Sequence, residues 1–227
     1  FIKLYGKRKY RLNDNLVNSN SGVKKLAAIH QPSFFPWMGF FDKIVRSDFF
    51  VILDSVQFPK TGGFWANRVK VIIGGEPKWI TMPIIRAYSG TRLISEIEID
   101  HSGNWNGKIL RTIEVNYKKA DHFPEVFPLI EKLLNNKETN LARFNLEIIN
   151  SLCSLLGIET SKFILSSALN TKGNATELLI SILKLIKADA YMCGGGAQKY
   201  QEDGQFSKNN IELIYQSFSH PVYKQFK

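Results

Sequence analysis

The apolar residues of this chain fall into short continuous runs, partial alternations and helical stripes, in that order from residue 25 on. LAAIH (Leu26 to His30) and FFVILD (Phe49 to Asp54) are unbroken apolar runs of strand length, the pattern of strands buried on both faces. Between them QPSFFPWMG, with two prolines and a glycine, must be a loop. MGFFDKIVRS then reads as a short helix, with Phe41, Ile44 and Val45 at helical spacing. Strand, loop, helix, strand is a βαβ unit with parallel pairing. The next stretches, WANRVKVII, KWITMPI and RLISEIEID, alternate only in part and are broken by GGEP and AYSG, which predicts an antiparallel or edge-strand excursion. NWNGKILRTIEVNY, FPEVFPLIEKLLNN and LARFNLEIINSLCSLLG carry apolar residues at i, i+3, i+4 and i+7. They predict three helices, the last stopped by Gly157 at a C-cap. KFILSS (strand), NATELLISILKLI (helix, with Asn174 as N-cap), ADAYMC (strand), the GGGAQKY loop and IELIYQ (final strand) form a second α/β unit. The whole reads as an α/β fold around a mostly parallel sheet. A single domain is expected over 25–227, with a β insertion at about 61–100 and a helical block at about 104–157. No repeat and no low-complexity tract interrupts it.

Composition narrows the class without changing that picture. At 227 residues, 44% hydrophobic and 22% charged, the chain is an ordinary globular one, not disordered, collagenous or coiled-coil. No apolar run approaches the roughly 18 residues of a membrane span, and no signal-peptide pattern is evident. Two cysteines without a CxxC argue against a disulfide framework or a structural zinc site, and fit a reducing cytoplasm.

The net charge of +10 is unevenly spread. Lys3, Lys7, Arg8, Lys9, Arg11, Lys24 and Lys25 stand against Asp14 alone in residues 1–25, leaving only +4 for everything after them. Residues 1–24, which include the polar NDNLVNSNSG, read as a basic leader or linker. Such a tail can touch nucleic acid or an anionic membrane; the plainer reading is a flexible leader. The first residue is Phe1, so the natural start is expected to lie upstream.

Candidate chemistry follows from one rule. In an open parallel sheet, ligands bind beyond the carboxyl ends of the strands. That selects His30-Gln31-Pro32, Asp54 to Gln57, Ser166-Ser167, and Gly194-Gly195-Gly196. His30 is a candidate general base or acid; the alternative is a histidine that only bonds the Pro32–Pro36 loop. Asp54 can bind a sugar hydroxyl, an amine or a metal; the alternative is a cap on the next turn. In KTGGFWANR, Lys60, Asn67 and Arg68 flank a flexible TGG. Arg68 is a planar fork suited to phosphate or carboxylate, and the alternative is an ordinary surface hairpin. The glycines of MCGGGAQKY let backbone amides approach a phosphate, and Lys199 and Tyr200 add a charge and a hydroxyl. The spacing is neither GxGxxG nor GK[ST], and a tight turn with positive φ is the alternative. His220 is either a second imidazole of the site or a surface residue. Trp37, Phe64 and Trp65 are candidates for stacking on a base or sugar ring. Cys193 reads as a small buried residue and Cys153 as helix packing. No metal motif is present.

AIHQPSFFPWMGFFDKIVRSDFFVILDSVQFPKTGGFWANR, SSALNTKGNATELLISILKLIKADAYMCGGGAQKYQ and IELIYQSFSHPVYKQ together resemble the WbqC-like family over about residues 25–227. The resemblance implies a bacterial, cytoplasmic protein of surface-polysaccharide (O-antigen) biosynthesis. It would be a transferase acting by acyl or aminoacyl transfer on a nucleotide-activated amino sugar. The implied partners are that small-molecule nucleotide sugar and an acyl or aminoacyl donor, with nucleic acid only where the donor is a charged tRNA. A cofactor is not implied. It also implies a further helical segment beyond HPVYKQ. A second likeness is to cytidylyltransferase-type enzymes of the HUP class, which makes the expected sheet Rossmann-like or HUP-like. Their PxHxGH histidine pair corresponds here to Pro36-Trp37-Met38-Gly39-Phe40, which keeps the glycine and lacks both imidazoles. A nucleotidyl- or adenylyl-transferase with a rewired site, and a non-catalytic sugar-nucleotide-binding protein, are the alternatives.

Overall fold

The structure, a computed structural model, describes residues 23–197 and 201–223. It divides into two compact units. The first takes residues up to His30, Gly39–Ile52 and Asn150–Phe218; the second takes Gln31–Met38, Leu53–Ile149 and Ser219 onward.

The first unit is built on a five-stranded sheet of β1 (Leu26–His30), β2 (Phe49–Ile52), β5 (Phe163–Leu165), β6 (Ala190–Cys193) and β7 (Glu212–Tyr215). All pairings are parallel, in the order β5-β2-β1-β6-β7. Counted by chain position within the sheet this is 3-2-1-4-5, the Rossmann-like order, so the α/β expectation holds. The continuous apolar runs are explained by burial: Ala27, Ala28, Phe50, Val51, Ile52, Met192 and Cys193 are fully enclosed. Two aspartates organise the amino ends of the strands. Asp48 accepts from the Leu26 N–H at 2.8 Å, and Asp189 accepts from the Lys25 N–H at 2.7 Å.

Helix α1 (Met38–Arg46) follows β1, as the pattern requires. Its buried face differs from the expected Phe41/Ile44/Val45 stripe. Phe40, Lys43 and Ile44 are enclosed, Phe41 is half-buried and Val45 is 45% exposed. A lysine shares the buried face with a phenylalanine and an isoleucine, so a hydrophobicity count picks the wrong arc. α5 (Ala175–Leu185) and α6 (Asp203–Lys208) complete the unit. Asn174 occupies the N-cap of α5 as read, but its side chain makes no capping bond.

The second unit carries a β3 (Arg68–Ile73) and β4 (Glu76–Thr81) hairpin, antiparallel through a Gly74-Gly75 turn. It also holds α2 (Trp105–Tyr117) and α3 (Phe123–Leu134), and the division between units falls within α4 (Leu141–Leu156). The expected strand in RLISEIEID is replaced by a 3-10 turn at Ile94–Glu96 and isolated bridges, Gln57 to Leu93 and Ile84 to Ile99. Its Ile94, Ile97 and Ile99, which alternate only in part, are buried without a ladder, so packing and not pairing set that pattern.

Gly157 ends α4 with φ +67°, while the Ile158 N–H reaches back to the Cys153 carbonyl at 2.8 Å. Gly157→Ala should therefore destabilise the protein by about 1 kcal/mol, because a Cβ is penalised in the left-handed region. A denaturant midpoint unchanged from wild type would refute that reading of the cap.

Candidate functional site

The chain direction across the sheet reverses at one place. From β1 the chain moves to β2 and β5 on one side, then crosses to β6 and β7 on the other. Ala28 lies beside Met192 on β6, His30 beside Ile52 on β2, and Cys193 beside Tyr215 on β7. His30, Gly194 and Gln216 thus leave three adjacent strands at one edge, on either side of the switch point where open α/β sheets bind ligands. Ser166 leaves β5 at the same edge, two strands from β1, and is fully buried.

Around that edge the first unit assembles further polar groups, Lys43 foremost among them. Lys43, 4% exposed, reaches from α1 to the triglycine: a Cβ built on Gly194 would lie 3.5 Å from its Nζ. Burial pushes the amine down to about 8, against the opposing pull of Cys193 and Asp42. Gln216 donates through Nε2 to the Gly39 carbonyl and to Asp42 Oδ2, both at 2.8 Å, tying the start of α1 to the end of β7. Cys193 is enclosed, its thiol pushed up by burial, with Gln201 Nε2 at 3.6 Å. The Tyr215 hydroxyl donates to Asp203 Oδ2 at 2.7 Å, a bond that raises its pKa. Gln201 also lines a groove of about 730 Å³ beside the start of α5, with Asn174, Thr176 and Glu202 on its walls. The signal for Lys43 was available: it is the one lysine inside the first βαβ helix.

His30 is half-buried, its ring edge-on to Phe40 at 4.9 Å. Phe40, which follows Gly39 in the chain, is itself fully enclosed.

The triglycine differs from the turn that would explain it. Gly194, Gly195 and Gly196 are not among the glycines with positive φ, and a Cβ on Gly195 or Gly196 would meet nothing within 4 Å. Neither backbone conformation nor crowding by the protein calls for glycine there. Tyr200 and Lys199 lie outside the described residues.

The remaining candidates belong to the second unit. Asp54 is 3% exposed and its carbonyl accepts from Ser95 N–H at 3.0 Å. Asn67 is a local brace: Oδ1 accepts from Phe64 N–H at 2.9 Å and Nδ2 donates to the Met82 carbonyl at 3.0 Å. The TGG loop is pinned, since Arg86 donates to the Pro59, Lys60 and Gly62 carbonyls. Gln57 is exposed and bridges to Leu93, and Gln31 is half-buried. Trp37 is brought against His220, ring centres 5.5 Å apart. Arg68 lies over Trp79 at 4.2 Å. Among the described residues no group of three or more His, Cys, Asp or Glu gathers as a metal site. No helix of the described residues is long and apolar enough to cross a membrane.

The chain is similar to the uncharacterized protein Rv1507c of Mycobacterium tuberculosis, 30% identical over 204 residues, which cover 89% of this chain and 86% of the relative. No solved structure matches it. The WbqC-like protein family matches residues 31–227, and the chain belongs to that family.

Proposed function

We propose that the protein is a cytoplasmic transferase that acylates or aminoacylates the amino group of a nucleotide-activated sugar in surface-polysaccharide assembly. The observation that carries the reading is the triglycine at the switch point. Its glycines answer no conformational or packing need of the protein, and a buried lysine amine stands against the first of them. Backbone without side chains can approach a phosphate closely, and an ammonium supplies its counter-charge.

In this reading Lys43 and the Gly194–Gly196 amides hold the phosphates of the activated sugar. The sugar amine attacks the acyl carbon of the donor, the new C–N bond forms, and the donor's thiolate or alkoxide leaves. His30 takes the proton that the amine nitrogen releases. Phe40 supports acyl over nucleotidyl transfer, because an enclosed phenyl ring cannot donate to a transferring phosphoryl group.

The test begins with a thermal-shift screen of nucleotide sugars, acyl thioesters, aminoacyl donors and triphosphates, since a ligand of the folded state raises its midpoint. The binding pair then goes into an N-acylation assay. His30→Ala should abolish turnover while the midpoint stays within a few degrees. Full turnover in that variant would remove His30 as the base. Saturable nucleotide-sugar binding without turnover for any donor would make the protein a binding module.

A further inference from the structure

Beyond residue 25 the excess positive charge amounts to +4, and it equals that of one stretch. Residues 60–86 hold Lys60, Arg68, Lys70, Lys78 and Arg86 against Glu76 alone. This is the hairpin of the second unit with its flanks, and on it two tryptophans stand in the open. Trp65 is 56% and Trp79 37% exposed, an unusual state for the most costly side chain to leave in water. They pack edge to face with centroids 5.0 Å apart. Lys70 and Trp79 are cross-strand partners, and both the Lys70 ammonium and the Arg68 guanidinium lie over the Trp79 ring, at 5.1 and 4.2 Å. Arg68 Nε is buried and has no hydrogen-bond partner among the described residues. The ion pairs among the described residues include neither Arg68 nor Lys70. The seat of Arg68 is shaped for it. A Cβ on Gly63 would fall 2.5 Å from Arg68 Cδ and 2.9 Å from Nε and Nη1.

We infer that the Trp65–Trp79–Arg68–Lys70 cluster is a binding site for a nucleoside phosphate, its base stacked on the open indole of Trp65 and its phosphate on Arg68 and Lys70. The guanidinium and the Trp65 ring are both in contact with Trp79, so they are no further apart than those two contacts laid end to end. A single nucleotide can span such a separation. An indole face accepts any base without reading its edge, and a guanidinium fork is matched to a phosphate. A sugar ring as ligand would ask for carboxylate or amide groups to meet its hydroxyls. The only acid of the stretch, Glu76, pairs with Ile73 at the far end of the hairpin, and both ends of Asn67 are committed to backbone. The site lies wholly in the second unit and goes beyond the activity proposed above.

All four tryptophans (37, 65, 79 and 105) belong to the second unit, so intrinsic fluorescence reports on it directly. The experiment uses the full chain carrying Lys43→Met, which silences the anion site of the first unit. It is titrated with the four common nucleoside 5′-monophosphates, inorganic phosphate, free nucleosides, glucuronic acid and oligothymidylates of increasing length. Saturable quenching by all four monophosphates is expected, at least tenfold tighter than by phosphate or nucleoside alone, and weaker at high salt. Trp65→Ala and Arg68→Ala should each weaken it at least tenfold. Arg68→Lys should fall between Arg68→Ala and the parent, with an unchanged thermal midpoint separating loss of binding from loss of fold. Absence of saturable quenching, or quenching untouched by both alanine variants, overturns the inference. So does a response to glucuronic acid alone, or an affinity that climbs with oligonucleotide length, which would make the hairpin a strand-binding face.

Discussion

Lys43→Met is expected to make the ligand-free protein more stable at pH 7 and to weaken its binding of nucleotide sugar at least tenfold. The lysine is 4% exposed, and burial lowers its amine from the ordinary 10.5 to about 8. At pH 7 the ammonium is present in both folded and unfolded chains, so the folded state carries the whole desolvation penalty. The shift corresponds to about 3 kcal/mol. Methionine fills a similar volume without charge, so relief of that penalty should lift the thermal midpoint by roughly 6–12 °C in a chain of this size. The sign has a pH signature. Between about 8 and 10.5 the unfolded chain holds the extra proton, so the parent gains stability as pH rises through that window. The advantage of Lys43→Met is therefore full at pH 7 and shrinks towards pH 10. A midpoint that falls at pH 7 on substitution would mean that the ammonium is repaid by interactions within the fold, and the anion-site role would lose its main support. A residue that costs stability where it stands is the expected mark of a binding group.

Asn145→Asp should be among the most damaging single substitutions in the second unit, with a loss of about 4 kcal/mol or more. Asn145 is fully buried on α4. Its Nδ2 donates to the Pro32 carbonyl at 2.9 Å and to the Ala66 carbonyl at 2.6 Å. It thereby fixes two loops, the one that follows His30 and the one that leads into β3. Its Oδ1 has no partner among the described residues. Aspartate would remove both donors and place carboxylate oxygens, or one proton for two acceptors, against two buried carbonyls. Asn145→Ala should be milder, at about 2–3 kcal/mol, because the carbonyls are orphaned but no charge is buried. Equilibrium denaturation of the two variants separates the terms. A loss below about 1 kcal/mol for Asn145→Asp would show that the two loops are held by other means.

Several features are legible in the sequence because one local rule governs each. β1 and β2 are strands enclosed on both faces, and nothing but a continuous apolar run satisfies that environment. The three helices of 105–156 carry the 3.6-residue stripe, and Gly157 supplies the left-handed residue that closes the last of them. Failures arose where a residue answers to a neighbour distant in sequence. Lys43 interrupts the apolar arc of α1 because it faces Gly194 from another strand end, so hydrophobicity alone points to Val45, which is exposed. The isoleucines of RLISEIEID alternate in part, as in a strand, yet their neighbours offer packing surface and only isolated bridges. Asn67 reads as a candidate binding residue in the sequence, and Arg86 carries no sequence signal at all. Both brace backbone carbonyls and amides that the chain path brings to them.

By itself, then, the sequence determined the α/β class, the alternation of elements and the family, because each is written in local periodicity and in contiguous motifs. The tertiary structure alone decided strand order, and with it the switch point between β1 and β6. It also decided which polar residues meet there and which are spent on holding loops. Those outcomes depend on parallel pairings between segments more than 150 residues apart, such as Ala28 with Met192. Hydrogen bonds between backbones carry no residue code that a linear reading can decipher.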